Sequence, residues 1–190
     1  MSDLNLDSTP PGDVVGDDMD DADVMPLVRH GWRSFEMARA YTRELLKSTP
    51  TDRWFEIPSG YSTHVGWQVG HLAVASYGLL LFRIRGRSES DLELIPSRFR
   101  KRYGKGSRPK PGADANVSPE ALLATLDEVR NQAEPIWRSI HPAEVRVAVD
   151  PPYAVYPNKL GCLMFASMHE MLHAGQIGAV RRGLDLEPIR

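Results

Sequence analysis

A chain of 190 residues with 42% hydrophobic and 25% charged side chains is long enough for one well-filled core and has the composition of an ordinary globular domain. Its net charge of -2 offers no basis for bulk attraction to nucleic acid or to an anionic membrane. The lone cysteine, Cys162, excludes an internal disulfide, and the N-terminus has neither the basic start nor the apolar run of a signal peptide. The longest apolar run, LAVASYGLLLF, is too short to span a bilayer, so the expected location is cytoplasmic, without membrane contact.

In chain order, residues 1–24 are rich in Asp, Pro and Gly and are expected to form a flexible acidic tail. The remainder, 25–190, is expected to be one helical domain. A first helix is expected from Pro26, a residue suited to a first turn, to the stop at Thr49-Pro50. Along it Leu27, Trp32, Phe35, Ala38, Tyr41 and Leu45 recur at helical spacing. A second helix is expected from about Ser62 to Gly86, and a third opens at Ser118-Pro119-Glu120 and runs to about Ile140. Pro135, inside the third, should kink it or split off its last turn. A fourth is expected from about Asn158 to Gly183, while β-like pieces such as Val145 to Val149 are too few for a sheet.

The link from about Arg87 to Val117 is long for a structureless loop, which suggests a crossover or a functional flap. Its length allows the second and third helices to run in the same direction. The expected fold is therefore all-α, a four-helix bundle with a long crossover between helices 2 and 3.

The fourth helix carries His169-Glu170-x-x-His173, two imidazoles on one helical face at the spacing of zinc peptidases. A metzincin would continue with Gly and His where this chain has Gln176 and Ala179. A thermolysin-like enzyme would need a downstream glutamate on a further helix, yet Asp185 and Glu187 lie beyond the helix stop. The peptidase reading therefore fails for want of a third ligand. A better third ligand lies upstream: His71 stands on an otherwise apolar or small stripe with Trp67, Val74, Ala75 and Gly78. Three neutral imidazoles converging on a bundle interior are costly to leave unpaired, and a divalent metal satisfies them together.

These residues resemble a known family. Trp67-Gln68-x-Gly70-His71-Leu72, followed a hundred residues later by His169-x3-His173-Ala174-Gly175-Gln176, is similar to the DinB/YfiT-like superfamily. The resemblance covers roughly Pro26 to Gly183. It implies a four-helix bundle in up-down-down-up order, often a homodimer, with a metal held by His71, His169 and His173. It further implies a metal, usually zinc, that activates a low-molecular-weight thiol cosubstrate for transfer to a small-molecule substrate.

Three histidines leave a metal at least one open position, where a bound water or thiol would lose its proton near neutral pH. The readings are a thiol S-transferase, a hydrolase on the same site, or a non-catalytic stress or interaction protein stapled by the metal. Zinc is the expected cation, with nickel, manganese and iron as alternatives. Glu170 is a candidate base or a partner to a neighbouring group; Trp67, Gln176 and His64 are candidate substrate contacts. His64, near the start of the second helix and therefore expected near a cleft mouth, also suits a surface or capping role. Cys162, two turns before His169, reads as a small buried side chain. His30 and His141 receive no role. The loop cations Arg98, Arg100, Lys101, Arg102, Lys105, Arg108 and Lys110, interleaved with Phe99 and Tyr103, raise a nucleic-acid reading. A solvated loop, or one paired with the acidic tail, is favoured over it; attraction of an anionic substrate stands between the two.

Overall fold

A computed structural model of the protein describes residues 20–189. Among the described residues the chain is helical, and its only β-type pairing is an isolated antiparallel bridge between Ala148 and Asn158. Helix α1 spans Asp21–Lys47. Helix α2, Val65–Tyr77, continues as a π-helical segment Gly78–Phe82 and then as α3, Arg83–Arg85, to make one rod. The connection after it is built around α4, Asp91–Leu94, and α5, Ser97–Tyr103. Helix α6 is Pro119–Ser139, α7 is the short Pro142–Val145, and α8 is Lys159–Gly183.

The ends of these helices follow local chemistry. Ser118 accepts from the Ala121 N–H with Pro119 behind it, and Asn158 accepts from the Gly161 N–H, each satisfying an orphan donor of the first turn. Helix α1 begins five residues before Pro26. Asp20 and Asp23 favour the positive end of its dipole, and Val24 and Val28, one turn apart, are buried in the core. Residues 21–24, expected in the tail, are thus helical, with Asp20 at the N-cap; residues 1–19 of the expected tail lie outside the described residues. Pro135 does not split off the last turn, since α6 runs through it to Ser139. The β-like stretch from Val145 begins instead at the end of α7, which His141 caps by accepting from the Ala143 N–H.

Contacts between the rods set their directions. A Cβ on Gly31 would lie 3.0 Å from Leu163, Arg39 meets Glu170, and Arg181 reaches the Leu45 carbonyl, so α1 and α8 advance together and run parallel. Gln68 meets His173 whereas Lys159 donates to the Ile84 carbonyl, so the α2 rod and α8 are antiparallel. Arg39 joins Ser76 to Leu126, and Trp137 donates to the Leu80 carbonyl further along both elements, so the α2 rod and α6 are parallel.

The apolar run expected to be too short for a membrane belongs to a longer rod. Val65–Arg85 is long and apolar enough to cross a bilayer, with a mean hydropathy of 1.3, but 67% of that window is buried inside the fold. Its apolarity is used by the core, where Val65, Val69, Leu72, Ala73, Leu80 and Leu81 are all inaccessible to solvent.

Candidate metal centre

The α2 rod and α8 bring His71, His169 and His173 together. One ligand nitrogen from each lies within 4.8 Å of the others, and the ring centroids are 4.4–5.3 Å apart. His169 and His173 are one turn apart on α8, and His71 faces them from an antiparallel neighbour.

Neighbouring groups decide which nitrogen each ring presents. The Tyr103 carbonyl, 2.8 Å from His71 Nδ1, can only accept, so Nδ1 carries the proton and the lone pair is left on Nε2. The Gln68 amide donates through Nε2 to Thr63 Oγ1 at 2.9 Å, which turns its oxygen towards His173. His173 Nδ1–H donates to that oxygen and again leaves Nε2 as the acceptor. His173 Nε2 is 3.1 Å from His169 Nε2. Two acceptor nitrogens are thereby held towards His169, which has at most one N–H at Nε2 to offer.

This donor set fits a divalent ion. Burial is the main cause that lowers all three histidines, His169 to about 4 and His173 to about 3, with neighbouring imidazoles adding to the effect in both of those. All three are therefore neutral near pH 7, as a metal ligand must be. Tetrahedral zinc with bonds of 2.0–2.1 Å would set nitrogens about 3.3 Å apart, close to the His169–His173 edge. His71 and His169 are partly exposed while His173 is buried, so the cluster has a floor and an accessible side.

The other residues singled out in the sequence fall in different places. Trp67 stacks on His71 with centroids 4.8 Å apart and planes 7° from parallel, and its indole N–H donates to Ser107 Oγ. Phe165 lies beside the His169 ring at 5.6 Å. His64 is fully buried rather than at a cleft mouth. Its Nδ1 caps α2 by accepting from the Trp67 N–H, and its Nε2 donates to the Lys110 carbonyl, so both ring nitrogens are occupied. Gln176 is exposed on α8, and the amide that touches the cluster is Gln68. Glu170 is buried, and both of its oxygens accept from Arg39, at 2.8 and 3.0 Å. Cys162 is buried, and burial pushes its thiol up to about 11, far from a reactive thiolate.

Sequence reading missed Gln68, Tyr103 and Arg39 as supporting groups. Gln68 had a usable signal: it is polar, on a buried helix, and one turn from His71. Tyr103 acts through its backbone, which no side-chain pattern reports. Arg39 looked like one of several cations on α1.

A family model for the DinB superfamily matches residues 34–177, a span that contains all three histidines. Among solved structures, the crystal structure of an uncharacterised protein from Escherichia coli UTI89 matches with a TM-score of 0.54 at 13% identity. The match covers 84% of this chain and 95% of that one, a likeness of fold alone. No curated protein matches. The long family match, which includes α2 and the histidine-bearing part of α8, carries the conclusion that this chain belongs to the DinB superfamily.

Proposed function

We propose that the protein is a metal-dependent enzyme whose three-histidine site activates a low-molecular-weight thiol for transfer to a small-molecule electrophile. The observation that carries this reading is the enforced orientation of His71 and His173. Two partners that accept at Nδ1 direct Nε2 of both rings towards His169. A divalent cation held there, zinc in the first instance and nickel, manganese or iron as alternatives, would supply stabilisation of a thiolate at neutral pH.

The chain's own residues do the rest. Trp67 and Phe165 flank the rings and shape the accessible side. Glu170 is read as a positioning residue: its carboxylate anchors α8 through Arg39, and both oxygens are already engaged. Trp67 remains the best-placed substrate contact among the residues named from sequence, since it stands against a ligand ring. A merely structural metal would call for a fourth protein ligand, whereas among the described residues the cluster comprises three histidines, two of them partly exposed. The four rods are read as an up-down-down-up bundle, supported by the parallel α1–α8 and α2–α6 pairs. A homodimer and a cytoplasmic location complete the proposal.

The test is a thiol-conjugation assay on zinc-loaded protein, with 1-chloro-2,4-dinitrobenzene as electrophile and a panel of low-molecular-weight thiols. Thioether formation that disappears in His169→Ala supports the transferase. Ester hydrolysis without any thiol dependence would replace it with a hydrolase on the same three ligands.

A further inference from the structure

The segment packed on the helix of His71 is strongly cationic. From Ser97 to Gly112 the chain has seven cations and no acid. Arg100, Lys101, Arg102, Lys105, Arg108 and Lys110 are all exposed. None of them is in a salt bridge among the described residues.

This segment is seated on the helix that bears His71. His64 donates to the Lys110 carbonyl at 3.0 Å, Trp67 to Ser107 Oγ at 3.0 Å, and His71 to the Tyr103 carbonyl at 2.8 Å. The three donors recur along one stripe of α2. Gly70 lets the segment approach, because a Cβ there would lie 2.4 Å from the Tyr103 ring. The Tyr103 hydroxyl is pinned in turn, accepting from the Val117 N–H at 3.0 Å. The backbone that carries the cations is therefore fixed against the helix of His71, with their side chains in solvent.

The same packing argues against a nucleic-acid groove. Single-strand binding combines cations with aromatic faces on which bases stack. Here Phe99 and Tyr103, the interleaved aromatics, are buried at 6% and 0% exposure and pack on each other. What remains on the surface is charge without a stacking platform. On α8, Met168 and Leu172, each directly preceding a ligand histidine in sequence, are exposed apolar side chains.

We infer that residues 97–112 form an electrostatic collar that draws an anionic small molecule, a thiol or electrophile bearing carboxylate, to the histidine cluster. This inference rests on the reading of the cluster as a metal site that takes a thiol. Fixed charge lining one side of a low-dielectric cleft raises the local concentration of the opposite charge, by about tenfold or more at low ionic strength.

The experiment titrates the full-length, cobalt-loaded protein with mercaptosuccinate and with neutral 2-mercaptoethanol, reading the thiolate-to-cobalt absorption band. It is repeated on the triple variant Lys101→Gln, Lys105→Gln, Arg108→Gln, whose side chains are exposed and whose removal leaves the ligands intact. The expected result is about tenfold tighter binding of mercaptosuccinate, with the preference shrinking in about 0.5 M sodium chloride and in the variant. An equal preference in wild type and variant overturns the collar. If neither thiol gives the band, the thiol reading fails by itself, and calorimetry with succinate then decides the collar. Succinate binding weakened in the variant sustains it, and unchanged binding removes it. A single-stranded oligonucleotide that displaces succinate and binds more tightly would overturn the small-anion assignment.

Discussion

Replacing Glu170 by alanine breaks the most deeply buried ion pair among the described residues. Arg39 and Glu170 expose only 5% and 1% of their side chains. The guanidinium ties four rods at one level: Glu170 on α8, Ser76 on α2, the Leu126 carbonyl on α6, and its own α1. In Glu170→Ala two charge-assisted hydrogen bonds vanish, and a buried cation keeps a hydroxyl, a carbonyl and the face of the Phe35 ring, but no counter-charge. Breaking one side of such a pair costs about 3–5 kcal/mol. At about 2–4 °C per kcal/mol for a domain of this size, Tm should fall by about 6–20 °C, read by circular dichroism at 222 nm. Metal content at 15 °C should be retained, because Glu170 is committed to Arg39 rather than to the histidines. The double variant Arg39→Met, Glu170→Leu should recover most of the loss, since apolar replacement of a buried pair is often neutral or stabilising. A Tm change under about 2 °C would refute the energetic argument. Loss of metal from a still-folded single variant would return Glu170 to a direct role at the site.

Further outcomes follow from the site's supports. Gln68→Leu removes the acceptor that orients His173 and should weaken zinc binding by about 10–100-fold, measured by chelator competition, with helicity unchanged. Gly70→Ala drives a methyl into the Tyr103 ring and should cost about 1–3 kcal/mol by urea unfolding while displacing the carbonyl that orients His71. In metal-free protein, His169 and His173 stay neutral down to about 4 and about 3, whereas the unfolded chain protonates them near 6.5. The unfolded state then binds more protons, so stability must fall as pH drops from 6.5 towards 4. His173→Gln should show a shallower fall of Tm across that window, and an equally steep one would contradict the assignment.

The histidine cluster was legible because its members lie on two strongly patterned helices. The i, i+4 pair at 169 and 173 is local, and the stripe bearing His71 is otherwise apolar or small. The helix starts at Ser118 and Asn158 were legible for the same reason, since a capping side chain acts within three residues. Groups whose partners are distant in sequence were not. Arg39 meets Glu170 across 131 positions and Gln68 meets His173 across 105, so although Gln68 stands out locally, neither partner can be read from the helix that carries it. The stretch from 97 to 110 read as a basic loop because its cations dominate the composition. Its helix α5 forms by turning Phe99 and Tyr103 inward against α2 while the cations stay in solvent, a burial that only the tertiary fold provides. His64 was placed near a cleft mouth by its position at a helix start. The Lys110 carbonyl, 46 residues away, closes over it.

The most direct test of the metal centre is elemental analysis of protein purified without an affinity tag, beside His71→Ala and His169→Ala. The structure predicts about one equivalent of a divalent transition metal in the wild type and its loss in both variants, because the ion needs ligands from both helices. Wild-type protein that takes up no metal even after reloading, or a His71→Ala variant that keeps its full complement, would contradict the three-histidine site.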